Sequence, residues 1–393
     1  MKTTMRILLI IIGLALVCIA GFVVFTVQRV EDFPSGEIPV DSEIFDARYD
    51  DAAAQALKGL EGLRRERNWP SLSMAVGVDG KLVWAGAVGY ADLAGATPVS
   101  THHRYRVGSI AKPMTAVALG ALLDEHKLAL DENVNELLNL HLAKLLSVRQ
   151  LASHTAGIRH YASGYAGLAE TYNQTQYNSV EASLVLFKND PLSFTPGTQY
   201  QYSSFGYNLL SRVLEVADGR EFLDLMQTRV FDPAGMSQTQ AEHLPANAGA
   251  TPDSLVIPYL MYDEIALRAP EVNNSYKWAG GGFISTPSDL VRFGLNLLSD
   301  DLVSATTRKQ LWTLSQLSDG TPSPGQYALG FQLGEDQGEA FVGHGGSSVG
   351  GNSYFVIYPE SGLVAAAVAN TSTLSGSWNI RPSTRLLARL FLN

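Results

Sequence analysis

The chain has 393 residues, of which 46% are hydrophobic, and this is enough for one large core or two smaller ones. Its formal net charge of −10 and the lack of any lysine- or arginine-rich run exclude nucleic acid and an acidic lipid surface as main partners. Its single cysteine, Cys18, excludes an internal disulfide and a cysteine nucleophile in the body of the chain.

The N-terminal segment, residues 1–28, predicts a membrane anchor. Residues 7–27 contain no charged side chain, and about 20 apolar residues suffice to span a bilayer as a helix. Lys2 and Arg6 precede this run, which predicts a cytoplasmic N-terminus and a catalytic body on the periplasmic or extracellular side. A cleaved signal peptide is the alternative, although the apolar run continues beyond Ala20, where cleavage would be expected.

The rest of the chain predicts a linker over residues 29–45, which is rich in proline, glycine and acidic residues, and one domain over residues 46–393. Strand patterns occur near both ends of that domain, and helical patterns dominate residues 115–269. This arrangement predicts an α+β fold. Its antiparallel sheet would come from residues 46–114 and 270–393, with flanking helices and an inserted helical subdomain.

Ser109 and Lys112 form the most informative motif. They are spaced three residues apart at the start of a predicted helix, so both side chains lie on one face, about one turn apart. A serine hydroxyl needs a nearby base to act as a nucleophile, and a lysine amine within reach can serve as that base. The pair therefore predicts a serine nucleophile that works without histidine.

Two further motifs follow in the chain. Tyr202 and Ser204 come after a Pro-Gly pair and open a helical run, and His344-Gly345-Gly346-Ser347 precedes an alternating strand pattern. The order of Ser/Lys, then Tyr, then a basic residue followed by glycine resembles the penicillin-recognising serine acyl hydrolases. The resemblance spans about 63–370 and is carried by Ser109–Lys112, Ser153–Tyr161, Leu186–Leu192, Tyr202–Tyr207 and Asn274–Phe283.

This resemblance, to class C β-lactamases, D-alanyl-D-alanine carboxypeptidases and related esterases, implies a serine β-lactamase/DD-peptidase-like fold with its active site between sheet and helical subdomain. It implies Ser109 as the nucleophile and either Lys112 or Tyr202 as the base in acylation; the sequence leaves that choice open. Ser204 stands where class C enzymes carry an asparagine that contacts the acyl side-chain amide, which counts against efficient β-lactam hydrolysis. A helix N-cap is the alternative role for Ser204.

The resemblance also implies roles for the third motif. His344 replaces a common lysine and is expected to polarise the site or hold a substrate carboxylate, with pH dependence. Gly345 and Gly346 leave room for substrate against the strand, and the backbone N–H groups of Ser109 and Ser347 form the oxyanion hole.

Two competing interpretations are weaker. Residues 346–350 match G-x-S-x-G with Ser348 as nucleophile, but that motif needs a helix after it, and here a strand pattern follows. The histidines are scattered, with no H-x-x-x-H or C-x-x-C pair, so no metal site and no cofactor are expected.

The sequence thus predicts a membrane-anchored serine acyl hydrolase that acts on a small-molecule or peptide acyl substrate through a Ser109 acyl-enzyme. Peptides or esters are preferred as substrates to β-lactams. The alternatives are a non-catalytic or self-assembling binding module of the same fold, and a cell-wall D-Ala-D-Ala carboxypeptidase or weak β-lactamase. Whether the chain forms a homo-oligomer is left open.

Overall fold

The computed structural model describes residues 30–139, 145–242, 254–373 and 379–392. Its main sheet has eight strands and is antiparallel, in the order β11-β12-β13-β14-β3-β4-β2, with β5 paired to β4. These strands are β2 Val40–Ile44, β3 Ser71–Val78, β4 Lys81–Asp92, β5 Thr97–Pro98, β11 Gln332–Asp336, β12 Glu339–Ser348, β13 Gly351–Tyr358 and β14 Leu363–Ala369.

Two small sheets accompany it. The first has the order β1-β9-β8-β15 and the second the order β6-β10-β7. Their strands are β1 Val30–Glu31, β6 Tyr105–Arg106, β7 Gln240–Ala241, β8 Tyr259–Tyr262, β9 Ile265–Arg268, β10 Phe283–Ser285 and β15 Thr371–Thr373. The segment expected to be a linker, residues 29–45, therefore contributes β1 and β2, and β2 pairs with β4.

Helices surround the main sheet and fill the segment between its two halves. They are α1 Asp50–Arg67, α2 Ala111–Asp124, α3 Val134–Leu137, α4 Val148–Ala152, α5 Gly164–Thr171, α6 Val180–Ser183, α7 Ser204–Asp218, α8 Phe222–Met226, α9 Trp278–Gly281, α10 Pro287–Leu298, α11 Ala305–Leu311 and α12 Arg381–Ala388. Short 3-10 turns include Gly108–Ile110 and Asn274–Lys277, and both belong to the site described below.

The main sheet is buried on both faces because alternate residues of its central strands enter different cores. Val364 and Ala366 of β14 pack with the helical part of the chain, including α2 and α10. Leu363 and Ala365 point to the other face, where they share a core with Leu60 of α1. Successive side chains of a strand point to opposite faces, so one apolar strand supplies both layers. The predicted α+β fold, with strands from both chain ends, is confirmed.

The predicted transmembrane helix requires correction. Among the residues that the structure describes, no helix combines the length and the apolar character needed to cross a bilayer. The longest of them, α1, has 18 residues and carries acidic side chains in its first turn and arginines in its last. Residues 7–27, on which the prediction rested, lie outside the described residues. Membrane anchoring and the extracytoplasmic location derived from it are therefore withdrawn.

Candidate active site

Ser109 lies in the 3-10 turn Gly108–Ile110, which leads directly into α2. Its side chain is half-buried and faces a cavity between the main sheet and the helical subdomain. Gly108 makes this position possible: its φ is +50°, and a Cβ there would come within 2.6 Å of the backbone oxygen of Ser347 and 2.7 Å of its nitrogen. Only glycine allows this approach, so the turn that carries Ser109 packs directly against the end of β12.

Lys112 is fully buried beneath Ser109. Its Nζ lies 3.2 Å from Oγ of Ser109 and 3.1 Å from Oγ of Ser204, and it donates a hydrogen bond of 2.6 Å to the carbonyl oxygen of Gly280 in α9. Burial, followed by the charge of Lys277, holds the pKa of Lys112 well below its usual range. This shift favours the neutral amine over the ammonium.

The three contacts of Lys112 match the hydrogen-bonding capacity of a neutral amine, which has two N–H donors and one lone pair. The Gly280 carbonyl can only accept, and Ser204 can accept the second N–H. The lone pair is then free for the O–H of Ser109, which is the arrangement that a general base requires.

Tyr202 is placed by the residues that begin α7. Ser203 is the N-cap of this helix: its Oγ accepts from the N–H of Gly206 at 2.9 Å and donates to the carbonyl of Arg159 at 2.7 Å. Nδ1 of His154 accepts from the N–H of Ser203 at 3.2 Å. The cap is therefore Ser203 and not Ser204, whose hydroxyl is committed to Lys112.

The Tyr202 ring lies over the amine, with Nζ of Lys112 4.7 Å from its centroid. Burial raises the pKa of Tyr202 well above its usual value, although a hydrogen bond with Ser109 acts in the opposite direction. The phenol is therefore protonated in the free protein. The lowered pKa of Lys112 favours a neutral amine and the raised pKa of Tyr202 favours a protonated phenol, which makes the amine the better candidate to accept the Ser109 proton.

His344 is buried in β12, with both ring nitrogens engaged. Nδ1 lies 2.6 Å from the carbonyl oxygen of Gly345, and Nε2 lies 3.0 Å from the hydroxyl of Tyr327. A carbonyl only accepts, so Nδ1 carries the proton and Nε2 accepts from Tyr327. Burial is the main cause that lowers the pKa of His344 to about 3. The ring is therefore neutral and has no charge that would attract a carboxylate. Its expected role in holding a substrate carboxylate stays a prediction.

Two cavities meet at Ser109, which we call the Arg381 cavity and the Lys277 cavity. The Arg381 cavity, of about 720 Å³, runs along β12 and is lined by His344, Gly345, Gly346 and Ser347. The Lys277 cavity, of about 410 Å³, is lined by Ser204, Tyr161 and Ser348 among others. Tyr202 and Ser347 line both.

The structure therefore brings all the predicted site residues around one cleft. Three further features of the site do not stand out in the sequence. They are Lys277, which lines one cavity, Arg381, which lines the other, and the Gly280 carbonyl that holds Lys112. Lys277 lies within Asn274–Phe283, one of the segments that carry the family resemblance. Its position just before three glycines could have marked it as a candidate site residue. Arg381 begins α12, where nothing in the local sequence marks it.

Ser348, the competing nucleophile, ends β12, and β13 begins at Gly351. The strand–turn–helix context that a nucleophile elbow needs is absent here.

Comparison with known proteins agrees with this geometry. The family described as Beta-lactamase matches residues 50–389, which is most of the chain. The chain belongs to the Beta-lactamase family. The human serine beta-lactamase-like protein LACTB, mitochondrial, is 28% identical over an alignment that covers 77% of this chain and 71% of the human protein. A D-aminopeptidase of Brucella anthropi is also 28% identical, over 71% of this chain and 52% of its own length.

Solved structures show the same fold. The D-amino acid amidase from Ochrobactrum anthropi SV3 superposes with a TM-score of 0.73 at 19% identity, over 87% of this chain and 98% of the amidase. The octameric penicillin-binding protein homologue from Pyrococcus abyssi gives a TM-score of 0.71 at 22% identity, over 86% of this chain and 77% of the homologue. With these relatives, this member of the Beta-lactamase family is a β-lactamase-related serine hydrolase.

Proposed function

We propose that the chain is a serine peptidase or esterase that works through an acyl-enzyme on Ser109. The observation that carries the proposal is the 3.2 Å approach of the buried Lys112 amine to Oγ of Ser109. A buried amine with a lowered pKa can take the hydroxyl proton at neutral pH, which an ordinary lysine cannot do.

The reaction then proceeds in two stages. Nζ of Lys112 takes the proton as Oγ of Ser109 attacks the substrate carbonyl, and the backbone N–H groups of Ser109 and Ser347 hold the developing oxyanion. The leaving amine or alcohol departs with a proton supplied by Tyr202 or by the Lys112 ammonium, and an ester on Ser109 remains. Water, deprotonated by the same residues, attacks this ester, and the serine regains its proton.

Peptide and ester substrates are favoured over β-lactams by the state of Ser204. It offers no amide group, and its hydroxyl already accepts from Lys112 at 3.1 Å and shares a hydrogen bond with Tyr161, so little capacity is left for the side chain of a β-lactam. The names of the relatives agree with this choice, because a D-aminopeptidase and a D-amino acid amidase both act on amides.

The oligomeric state remains a prediction. The octameric archaeal homologue has the same fold, which supports assembly of this chain into a homo-oligomer.

Mass spectrometry of the intact protein, after exposure to activated esters, peptides and β-lactams, tests the proposal. We expect a covalent acyl adduct with an ester or peptide on the wild-type protein and none on Ser109→Ala. Equal adducts on both would reject Ser109 as the nucleophile, and no adduct or turnover with any substrate would favour a non-catalytic module. Release of D-alanine from a muramyl pentapeptide would identify a cell-wall carboxypeptidase instead.

A further inference from the structure

Lys277 is a second buried lysine near Ser109, and the mechanism above gives it no contact with the substrate. It ends the 3-10 turn Asn274–Lys277, immediately before α9, and is only 5% exposed. It lines the Lys277 cavity together with Ser109 and Tyr202. Its position inside the cleft makes it a candidate to contact whatever binds there.

The Lys277 amine lacks a polar partner. Within the described ranges, its Nζ makes no hydrogen bond or ion pair. It lies over the rings of Tyr276 and Tyr161, whose centroids are 5.2 and 5.8 Å away, and the charges of Arg106 and Glu242 also act on it. The nearby Glu242 is already engaged, because Arg106 binds its carboxylate at 2.6 to 3.0 Å and Asn274 donates to it at 2.6 Å. A buried cation without a partner is costly, so this arrangement suits an anion from outside.

Ser348 adds a second unsatisfied polar group to the same cavity. It is 8% exposed, and its Oγ has no hydrogen-bond partner among the residues described. An ammonium and a hydroxyl that both lack partners can together bind the oxygens of a carboxylate.

The geometry points to Lys277 and Ser348 as a subsite for an anionic group of the carboxylate class on the acyl substrate. This inference rests on the proposed function, because it places the anion on the molecule that acylates Ser109. The pKa of Lys277 is lowered to about 8, first by burial and then by Arg106, so the amine remains mostly charged at neutral pH. A free ammonium group on the substrate, as in an aminopeptidase substrate, would be repelled from this cavity.

Matched esters test the subsite. Mono-4-nitrophenyl glutarate and 4-nitrophenyl pentanoate differ in a carboxylate on the acyl part, whereas 4-acetoxybenzoate and 4-methylphenyl acetate differ on the alcohol part. For each pair, the measured quantity is the ratio of kcat/KM for the charged ester to that for the neutral ester. This ratio cancels any effect of Lys277 on the basicity of Lys112.

We expect Lys277→Met to lower one of the two ratios about tenfold or more, because it removes a charge-assisted hydrogen bond. The pair that responds identifies the side of the scissile bond that faces Lys277. Lys277→Arg should retain most of the preference for the charged ester. Ser348→Ala should weaken this preference, although the charge of Lys277 remains. The exposed Lys309→Met removes the same charge elsewhere and should leave both ratios unchanged.

Unchanged ratios in Lys277→Met and Ser348→Ala, with neutral-ester turnover still dependent on Ser109, would overturn the subsite and leave the proposed function intact. Turnover of the neutral esters that persists in Ser109→Ala would overturn both.

Discussion

At the scale of single residues, burial favours the uncharged forms of the proposed catalytic groups. Burial lowers the pKa of Lys112 and of His344 and raises that of Tyr202, so each favours its uncharged form. This state lets an amine accept a proton from Ser109 and lets a phenol donate one. Positive charge is supplied instead by Lys277 and Arg381, which line the two cavities beside the nucleophile.

The neutral state of His344 predicts how stability depends on pH. Its pKa is about 3 in the folded protein and near 6.5 when unfolded, so between these values only the unfolded state binds the proton. Acidification from about pH 6.5 towards pH 3 therefore destabilises the protein, by an amount on the order of a few kcal/mol for this residue. We expect His344→Asn, which has no titrating ring, to lose less stability between pH 7.5 and pH 5.

Urea unfolding at the two pH values checks this prediction. The exposed His126→Asn removes a histidine elsewhere in the chain and provides the matched control. A His344→Asn protein whose free energy of unfolding falls with acid as steeply as that of the wild type would contradict the neutral, buried ring.

At the scale of structural elements, the site depends on how closely the Ser109 turn meets the end of β12. Gly108→Ala would place a methyl group within 2.6 Å of the Ser347 backbone and also strain a φ of +50°. We expect it to lower the free energy of unfolding by about 2 kcal/mol or more. We also expect kcat/KM to fall about 100-fold, since the nucleophile moves relative to the N–H group of Ser347.

Gly219→Ala separates backbone strain from steric contact. Gly219 has a φ of +77° at the end of α7, and a Cβ there would meet nothing within 4 Å. Gly219→Ala should therefore lower the free energy of unfolding by about 1 kcal/mol and leave kcat/KM nearly unchanged. Equal losses of activity in the two variants would show that the contact between Gly108 and Ser347 does not position the nucleophile.

Features of the structure that depend on local residue spacing could be predicted from the sequence. Ser109 and Lys112 are one turn apart, and alternation in residues 353–358 marked a strand that the structure contains as part of β13. The end of β12, up to Ser348, is a glycine-rich run without an alternating pattern, and it is a strand because its backbone pairs with β13. The contact between Lys112 and the Gly280 carbonyl could not be predicted, because it involves a backbone oxygen that only the tertiary fold brings close to the amine.

At the scale of the whole molecule, the sheet joins the two ends of the chain. β3 pairs with β14, and the C-terminal segment packs against α1 and the early strands. Phe391, only 2% exposed, stacks on Trp84 with 5.6 Å between ring centroids. Residues at the end of the chain therefore stabilise the sheet that carries the site.

Phe391→Ala tests this long-range packing. We expect it to lower the free energy of unfolding by about 3 to 5 kcal/mol, as for other buried phenylalanines. Its neighbour Leu392 is 37% exposed, so Leu392→Ala should cost less than about 1 kcal/mol. Thermal or denaturant unfolding of the two variants measures the difference, and similar costs at both positions would refute the packing role of Phe391.

The central claim is that the neutral amine of Lys112 takes the proton of Ser109, and the pH dependence of covalent labelling by a fluorophosphonate tests it most directly. The account predicts labelling at Ser109 that falls only at a pH well below the ordinary range of a lysine, where protonation occupies the lone pair of Lys112. Lys112→Met should slow labelling by about 100-fold or more at every pH. Labelling that is equally fast in Lys112→Met, or that rises only near pH 10, the ordinary range of a lysine, would contradict it.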